Sequence, residues 1–219
     1  MVSPAKLEIN PGKTPVYRAV AGLITLLSWI LYRPRVVGKE NIPLSGPVLI
    51  APIHRSNVDF AFTLFISPRK VFFMAKDGIF RVPLFGKLLW HLGAFPVRRG
   101  SADRESMALA EEVLRLGHAL VLFPEGTRKE GRTVGELRDG AMFVAARTSA
   151  KVVPVGVGGS ERAMPPGKRL PRPARIRIVV GEPIEPPTAE GRVSRSAISA
   201  KTEELRVELE RVYQMALAL

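Results

Sequence analysis

Short apolar runs rich in strand-favouring residues alternate with longer amphipathic stretches along this 219-residue chain, and that alternation restricts it to a sheet layered with helices. Strands are expected near Val36 and over Val48–Ala51, Val71–Met74, Ala119–Phe123, Val152–Val157 and Arg175–Val180. Helices are expected over Asn57–Phe65, Leu84–Leu92, Ala102–Leu116, Ala141–Ser149 and Ser196–Leu217. The fold class is therefore α/β, a mixed β-sheet flanked by helices. In the last helix Ile198, Leu205, Leu209 and Val212 trace an apolar stripe, which reads as a packing face. No repeat, Ser/Gly linker or charge block divides the chain, so residues 36–219 read as a single domain behind an N-terminal segment, 1–35.

Two strand-end segments carry groups suited to chemistry. The run Pro47–Pro52 is a short apolar strand closed by proline, so His54 emerges at its end, where α/β proteins place their sites. A neutral imidazole there can take a proton from a hydroxyl if a carboxylate holds its other ring nitrogen, and Asp59 is the nearest carboxylate. Five residues along a regular helix turns a side chain by about 140°. The pairing therefore requires His54 to precede the helix and Asp59 to lie in its first turn. Ser56 as N-cap, with Asn57 and Val58 before Asp59, also matches a capping box, and the two readings are compatible. The second segment follows the apolar run 117–123. There Pro124-Glu125-Gly126-Thr127 breaks the strand sharply, Gly126 permits close backbone approach, Thr127 offers a hydroxyl and Arg128 a planar fork for an anion. Taken singly, each segment is equally a helix cap or a surface turn.

Composition adds an independent constraint. Lys and Arg number 33 against 20 Asp and Glu, a net charge of +13, which calls for an anionic partner: nucleic acid, acidic lipid surface or phosphorylated substrate. Mean hydropathy above zero and few aromatics argue against the stacking platforms of single-strand binders, so no nucleic-acid partner is expected. Without cysteine the chain has no disulfide, thiolate metal site or thiol nucleophile. His91 and His118 fall outside any ligand-like spacing, so no metal is assigned.

Ala19–Tyr32 is the one long apolar segment. At about 1.5 Å per residue it covers roughly 21 Å, short of a hydrocarbon core of about 30 Å. Arg18, Gly22, Thr25 and Ser28 make a weak polar stripe, Trp29 and Tyr32 suit the headgroup boundary, and Lys13, Arg18, Arg33 and Arg35 flank both ends. These features favour a monotopic helix lying in one leaflet of an anionic surface over a spanning helix or a secretory signal. The rival is a helix packed on the domain's own core. The Pro/Arg-rich stretch 165–173 reads equally as a solvated basic loop and as a lipid-headgroup contact.

With these residues in view, the chain resembles the glycerolipid acyltransferases of the 1-acylglycerol-3-phosphate acyltransferase type. His54-Arg55-Ser56-Asn57-Val58-Asp59 resembles that family's His-x4-Asp box, and Phe123-Pro124-Glu125-Gly126-Thr127-Arg128 its phosphate-binding box. Lys76 stands where the family has a lysine facing the acceptor phosphate, Gly93–Arg99 resembles its second box with Arg99 in the arginine position, and Val153-Pro154-Val155-Gly156 the fourth. The resemblance runs from Val37 to Gly181. Arg98 replaces an acidic or small polar residue of many relatives, and Arg138 a lysine. Both keep or raise positive charge, which leaves open an acceptor with a larger head group than simple lysophosphatidic acid.

The resemblance implies that His54, held by Asp59, is the general base in acyl transfer from acyl-CoA or acyl carrier protein to the hydroxyl of a lysophosphatidic acid-like acceptor, in phospholipid biosynthesis. Lys76, Arg99, Gly126, Thr127 and Arg128 would hold the acceptor phosphate, with Ser56, Asn57, Arg98, Glu125 and Pro154 in support. Glu125 is expected to orient Arg128 or its loop. No cofactor is expected, and the place of work is the cytoplasmic face of a membrane. Other anionic lysolipids or glycerol 3-phosphate are alternative acceptors. Rivals of another class are a basic nucleic-acid-binding protein and a non-catalytic membrane-surface module, and the latter gives no reason for His54 beside Asp59.

Overall fold

The computed structural model describes residues 15–81, 86, 89, 92–97, 104–165, 170–188 and 193–219, apart from the side chains of 76, 79 and 97. Among these, the chain runs α1 (Pro15–Tyr32), β1 (Arg35–Val37), β2 (Val48–Pro52), α2 (Asp59–Ile66), β3 (Val71–Lys76), β4 (Ala94–Val97), α3 (Arg104–Arg115), β5 (Ala119–Val121), α4 (Gly140–Thr148), β6 (Lys151–Gly158), a single turn α5 (Ser160–Ala163), β7 (Arg177–Val180) and α6 (Arg195–Ala218). The strands form one sheet of seven in the order β1-β7-β6-β2-β5-β3-β4. All neighbours are parallel except β6 and β7, so the sheet is mixed, as expected.

β2 is buried at every position, which is why its sequence is an unbroken apolar run instead of an alternation. It lies between β5 and β6, with Val48 opposite Ala119 and Lys151. Because β2, β5, β3 and β4 run the same way, the segments that follow them leave from the same end of the sheet. That single fact gathers the sequence motifs. His118 enters β5 at the opposite end, stacked on Phe72 at 5.3 Å between centroids. Burial, with Arg69 and Lys70 nearby, holds its pKa below the usual imidazole value.

Two prolines sit in strands for identifiable reasons. Pro96 is on β4, an edge strand that pairs with β3 alone, and edges tolerate a missing donor. Pro154 lies in central β6. Its carbonyl accepts from Gly181 at 2.9 Å, just past the last residue of β7, so its absent N–H falls where the ladder with β7 has ended. The expectations missed β4, which proline and brevity disguise, and the turn α5. Observed α2 starts two residues later than expected and β5 ends two residues sooner, because Leu122 and Phe123 already belong to the turn. The helix expected over 84–92 lies largely outside the described residues.

α6 rests directly on β6. Ile198, Leu205, Leu209 and Val212 are all buried, as their stripe implied. A Cβ added at Gly156 would come within 2.6 Å of the Tyr213 amide nitrogen and collide with the Val212 carbonyl; one at Gly158 would sit 2.6 Å from the Ala216 carbonyl oxygen. Two residues along a strand and four along a helix advance by nearly the same distance, so a stripe of alternate glycines receives the helix backbone turn by turn. Ser194 caps α6, accepting from the Ala197 amide at 3.1 Å.

α1 lies along the domain with both ends attached. Tyr17 near its start bonds the Val71 backbone, and Tyr32 at its end meets Phe62 of α2 edge-on at 5.3 Å. Its other side exposes Leu23, Leu26, Leu27, Trp29 and Ile30. The helix therefore has one side attached to the domain and one exposed apolar side. The helix begins four residues before Ala19, and at 18 residues it is long and apolar enough to cross a membrane by length and composition alone; this corrects the shorter estimate drawn from Ala19–Tyr32.

Gly156→Ala is expected to destabilise the fold by at least about 1–3 kcal/mol, the usual range for overpacking, because backbone atoms of α6 cannot step aside. Thermal melting of the variant against the unaltered chain checks this.

Candidate active site

The site is assembled where the segments leaving β2 and β5 cross. Asp59 opens α2 and is buried, and its Oδ2 accepts from the His54 ring Nδ1 at 2.9 Å and from the backbone amides of Arg55 and Ser56 at 2.7 Å each. A carboxylate only accepts, so Nδ1 carries the hydrogen and Nε2 is left with a free lone pair. The His54 side chain keeps 13% exposure while that of Asp59 has none. The base is reachable and its anchor is not.

The geometric condition read from the sequence is met: His54 precedes α2 and Asp59 is its first residue. The capping-box reading is half right. Asp59 does reach back to the Ser56 amide, but Val58 occupies the N-cap position and the Ser56 hydroxyl donates to the Met164 carbonyl at 3.2 Å. Ser56 therefore ties the box to the turn after α5. Asn57 is exposed.

The second box grips the first through its backbone. Glu125 Oε2 accepts from the His54 amide at 2.9 Å, and the Lys129 amide donates to the His54 carbonyl at 2.9 Å. The Phe123 ring stacks on the imidazole at 4.1 Å and 26°. Glu125 also receives both contacts of an ion pair with Arg55 Nη1, at 2.7 and 2.9 Å, and both residues are 2% exposed. The remaining terminal nitrogen of Arg55 donates to the Thr133 carbonyl at 2.9 Å. Glu125 thus orients the loop by way of Arg55 and His54, and Arg55 is a site residue that the sequence reading quoted without giving it work. Its partner lies 70 residues away, beyond the reach of spacing rules.

Gly126 has a left-handed φ of 69°, and a Cβ there would come within 2.8 Å of Arg138 Nε. The left-handed turn favours glycine, and the exposed Arg138 side chain lies against it. Gly126 and Thr127 are exposed and Arg128 is half-buried. Neither Arg128 nor Arg138 has a side-chain partner among the described residues, which leaves two guanidinium groups uncommitted beside one glycine turn. Lys76 ends β3 at the same end of the sheet, with its side chain outside the described residues. Arg98 and Arg99 lie outside them entirely. Pro154 stands opposite Ala51, in the strand that flanks β2.

A family model described as Acyltransferase matches residues 33–158. The chain belongs to the acyltransferase family. Among relatives of this acyltransferase is a chloroplast protein of Arabidopsis thaliana named 1-acyl-sn-glycerol-3-phosphate acyltransferase LPAT1, 30% identical over 83% of this chain and 52% of the relative. A Bacillus subtilis protein named 1-acyl-sn-glycerol-3-phosphate acyltransferase is 27% identical over 87% of this chain and 93% of its own length. The chain spans about half the length of three curated plant and algal relatives it matches, 52%, 45% and 48%. The crystal structure of PlsC, the 1-acyl-sn-glycerophosphate acyltransferase of Thermotoga maritima, superposes with a TM-score of 0.72 at 24% identity, covering 91% of this chain and 80% of that one. This likeness establishes the fold.

The Arg55–Glu125 pair gives a measurable expectation. Glu125→Ala leaves an uncompensated buried guanidinium and is expected to cost about 3–5 kcal/mol, whereas replacing both residues with methionine recovers most of that loss. Urea denaturation of the single and double variants reads the difference.

Proposed function

We propose that this acyltransferase moves a fatty acyl group from an acyl thioester, acyl-CoA or acyl carrier protein, to the free hydroxyl of a lysophosphatidic acid-like acceptor. One observation carries the reading: an imidazole held at Nδ1 by a buried carboxylate has its own backbone amide and carbonyl bonded to the glycine turn that bears the free cations. A base and an anion seat so connected keep a fixed relation, which suits a nucleophile and a phosphate carried on one small molecule. The names of the relatives support the acceptor class.

In this mechanism the acceptor phosphate rests against Arg128, Arg138 and the Gly126-Thr127 turn, with Lys76 and Arg99 added on the strength of the family resemblance. The hydroxyl oxygen attacks the thioester carbonyl while His54 Nε2 takes its proton. As the carbon–sulfur bond breaks, the imidazolium returns that proton to the departing thiolate. Asp59 stabilises the imidazolium and fixes its tautomer. The acceptor is itself the nucleophile, so no acyl-enzyme forms, and no metal or organic cofactor enters.

Membrane docking belongs to the same proposal. α1 lies in one leaflet on the cytoplasmic side, its outer apolar row in the acyl region and the domain's positive charge against anionic headgroups, each cation near the surface adding about 1 kcal/mol. The acceptor is then drawn from the surface on which the enzyme rests.

Labelled acyl-CoA and lysophosphatidic acid supplied to purified chain test the proposal. His54→Ala is expected to lose about 10²–10⁴-fold in turnover, and Arg128→Ala to act mainly through the acceptor KM, with donor KM unchanged. Undiminished turnover by His54→Ala would refute the general-base role.

A further inference from the structure

The loop 128–134 that follows the glycine turn carries the Thr133 carbonyl bonded by Arg55, yet it is not held by the sheet. It is held by the C-terminal part of α6. Tyr213 donates its hydroxyl to the Gly131 carbonyl at 3.3 Å, Gln214 donates to the Arg132 carbonyl at 2.6 Å, and Glu210 accepts the Val134 amide at 2.5 Å. Gln214 and Glu210 are themselves bonded at 2.7 Å. Successive loop residues therefore meet three side chains from little more than one turn of helix. The Tyr213 ring also lies under the Arg55 guanidinium, 5.2 Å from its centroid, in a setting where a cation over an aromatic face is attracted and confined.

We infer that Tyr213, aided by Gln214 and Glu210, is a positioning residue of the active site: it fixes the Arg55 guanidinium and the 131–134 loop, and through Glu125 the backbone of His54. The route is continuous. Tyr213 touches Arg55, Arg55 holds Glu125, Glu125 holds the His54 amide, and Lys129 in the strapped loop holds the His54 carbonyl. α6 itself is seated on Gly156 and Gly158 of β6, so the strap is referred to the sheet that also launches His54. Tyr213 acts through Arg55 and does not touch reacting atoms. The inference rests on the proposed general-base role of His54 for its catalytic consequence, but not for the mechanical link.

Two measurements on the full chain separate those layers. Gln214 is exposed, so Gln214→Ala removes a strap without opening the core. Its hydrogen–deuterium exchange is expected to quicken in 54–56 and 125–134 with the melting temperature unchanged. Unchanged exchange in those segments overturns the inference whether or not the chain turns over. Kinetics with acyl-CoA and lysophosphatidic acid read the consequence. Tyr213→Leu, which loses the ring, is expected to lower kcat about tenfold or more, since small misplacements of reacting groups are costly; Tyr213→Phe, which keeps the ring, recovers to within about threefold. Folded Tyr213→Leu with kcat near that of the unaltered chain also overturns it. If Tyr213→Leu does not fold, the kcat of Gln214→Ala decides: a fall of severalfold supports the link and an unchanged value removes it. An unaltered chain without turnover refutes the acyl-transfer proposal and leaves the exchange result to judge this one.

Discussion

A fully buried guanidinium–carboxylate pair is the interaction on which the site depends. Taking Arg55 and Glu125 out of water is costly, and their attraction repays the desolvation only when the geometry is good and further polar groups are satisfied. Here Glu125 accepts from Arg55 and from the His54 amide, while Arg55 also donates to Thr133 and lies over Tyr213. Such a pair contributes little net stability compared with an apolar substitute. What it contributes is registry, because it ties the His54 segment to the glycine-turn loop through both carboxylate oxygens, with only Arg55 Nε of that guanidinium left unbonded among the described residues. The positions of His54 and of the glycine turn follow from that restriction.

Much of the fold was legible because the chain alternates cleanly between buried apolar strands and amphipathic helices. Val48–Ala51 and Val152–Val157 read as strands because they are unbroken apolar runs, which the structure explains by burial on both faces, and the stripe on α6 marked its packing side. Elements failed to register where tertiary context overrides local preference. Ala94–Val97 is a strand despite Pro96 because it lies at the sheet's edge, and the turn at Ser160–Ala163 is too short to have a period. Within the site, His54 and Asp59 were readable because their relation is local and limited by helix geometry. Arg55 with Glu125, and Arg55 with Tyr213, were not, since they meet across 70 residues or more and no sequence rule ties a lone basic residue to a distant acid or ring. Arg138 was noted as a cation, while its placement against Gly126 needed coordinates.

Charge and apolarity are distributed to different tasks. Among the described residues, the surfaces that carry the net +13 include Arg128 and Arg138 by the glycine turn, and a row of exposed apolar side chains lies on α1. Neither extreme describes the domain's interior, where α6 and the sheet pack as in any α/β protein.

The hydrogen bonds that pin His54 connect residues 71 positions apart, and those that tether the loop to α6 connect residues 82 apart. Contacts of such separation close late, after the intervening chain has collapsed. During synthesis, then, the imidazole emerges long before the groups that restrain it, and a nascent or truncated polypeptide carries the first motif without a working centre. The fold acts as its own checkpoint: the geometry of the site arrives only with the completed tertiary structure.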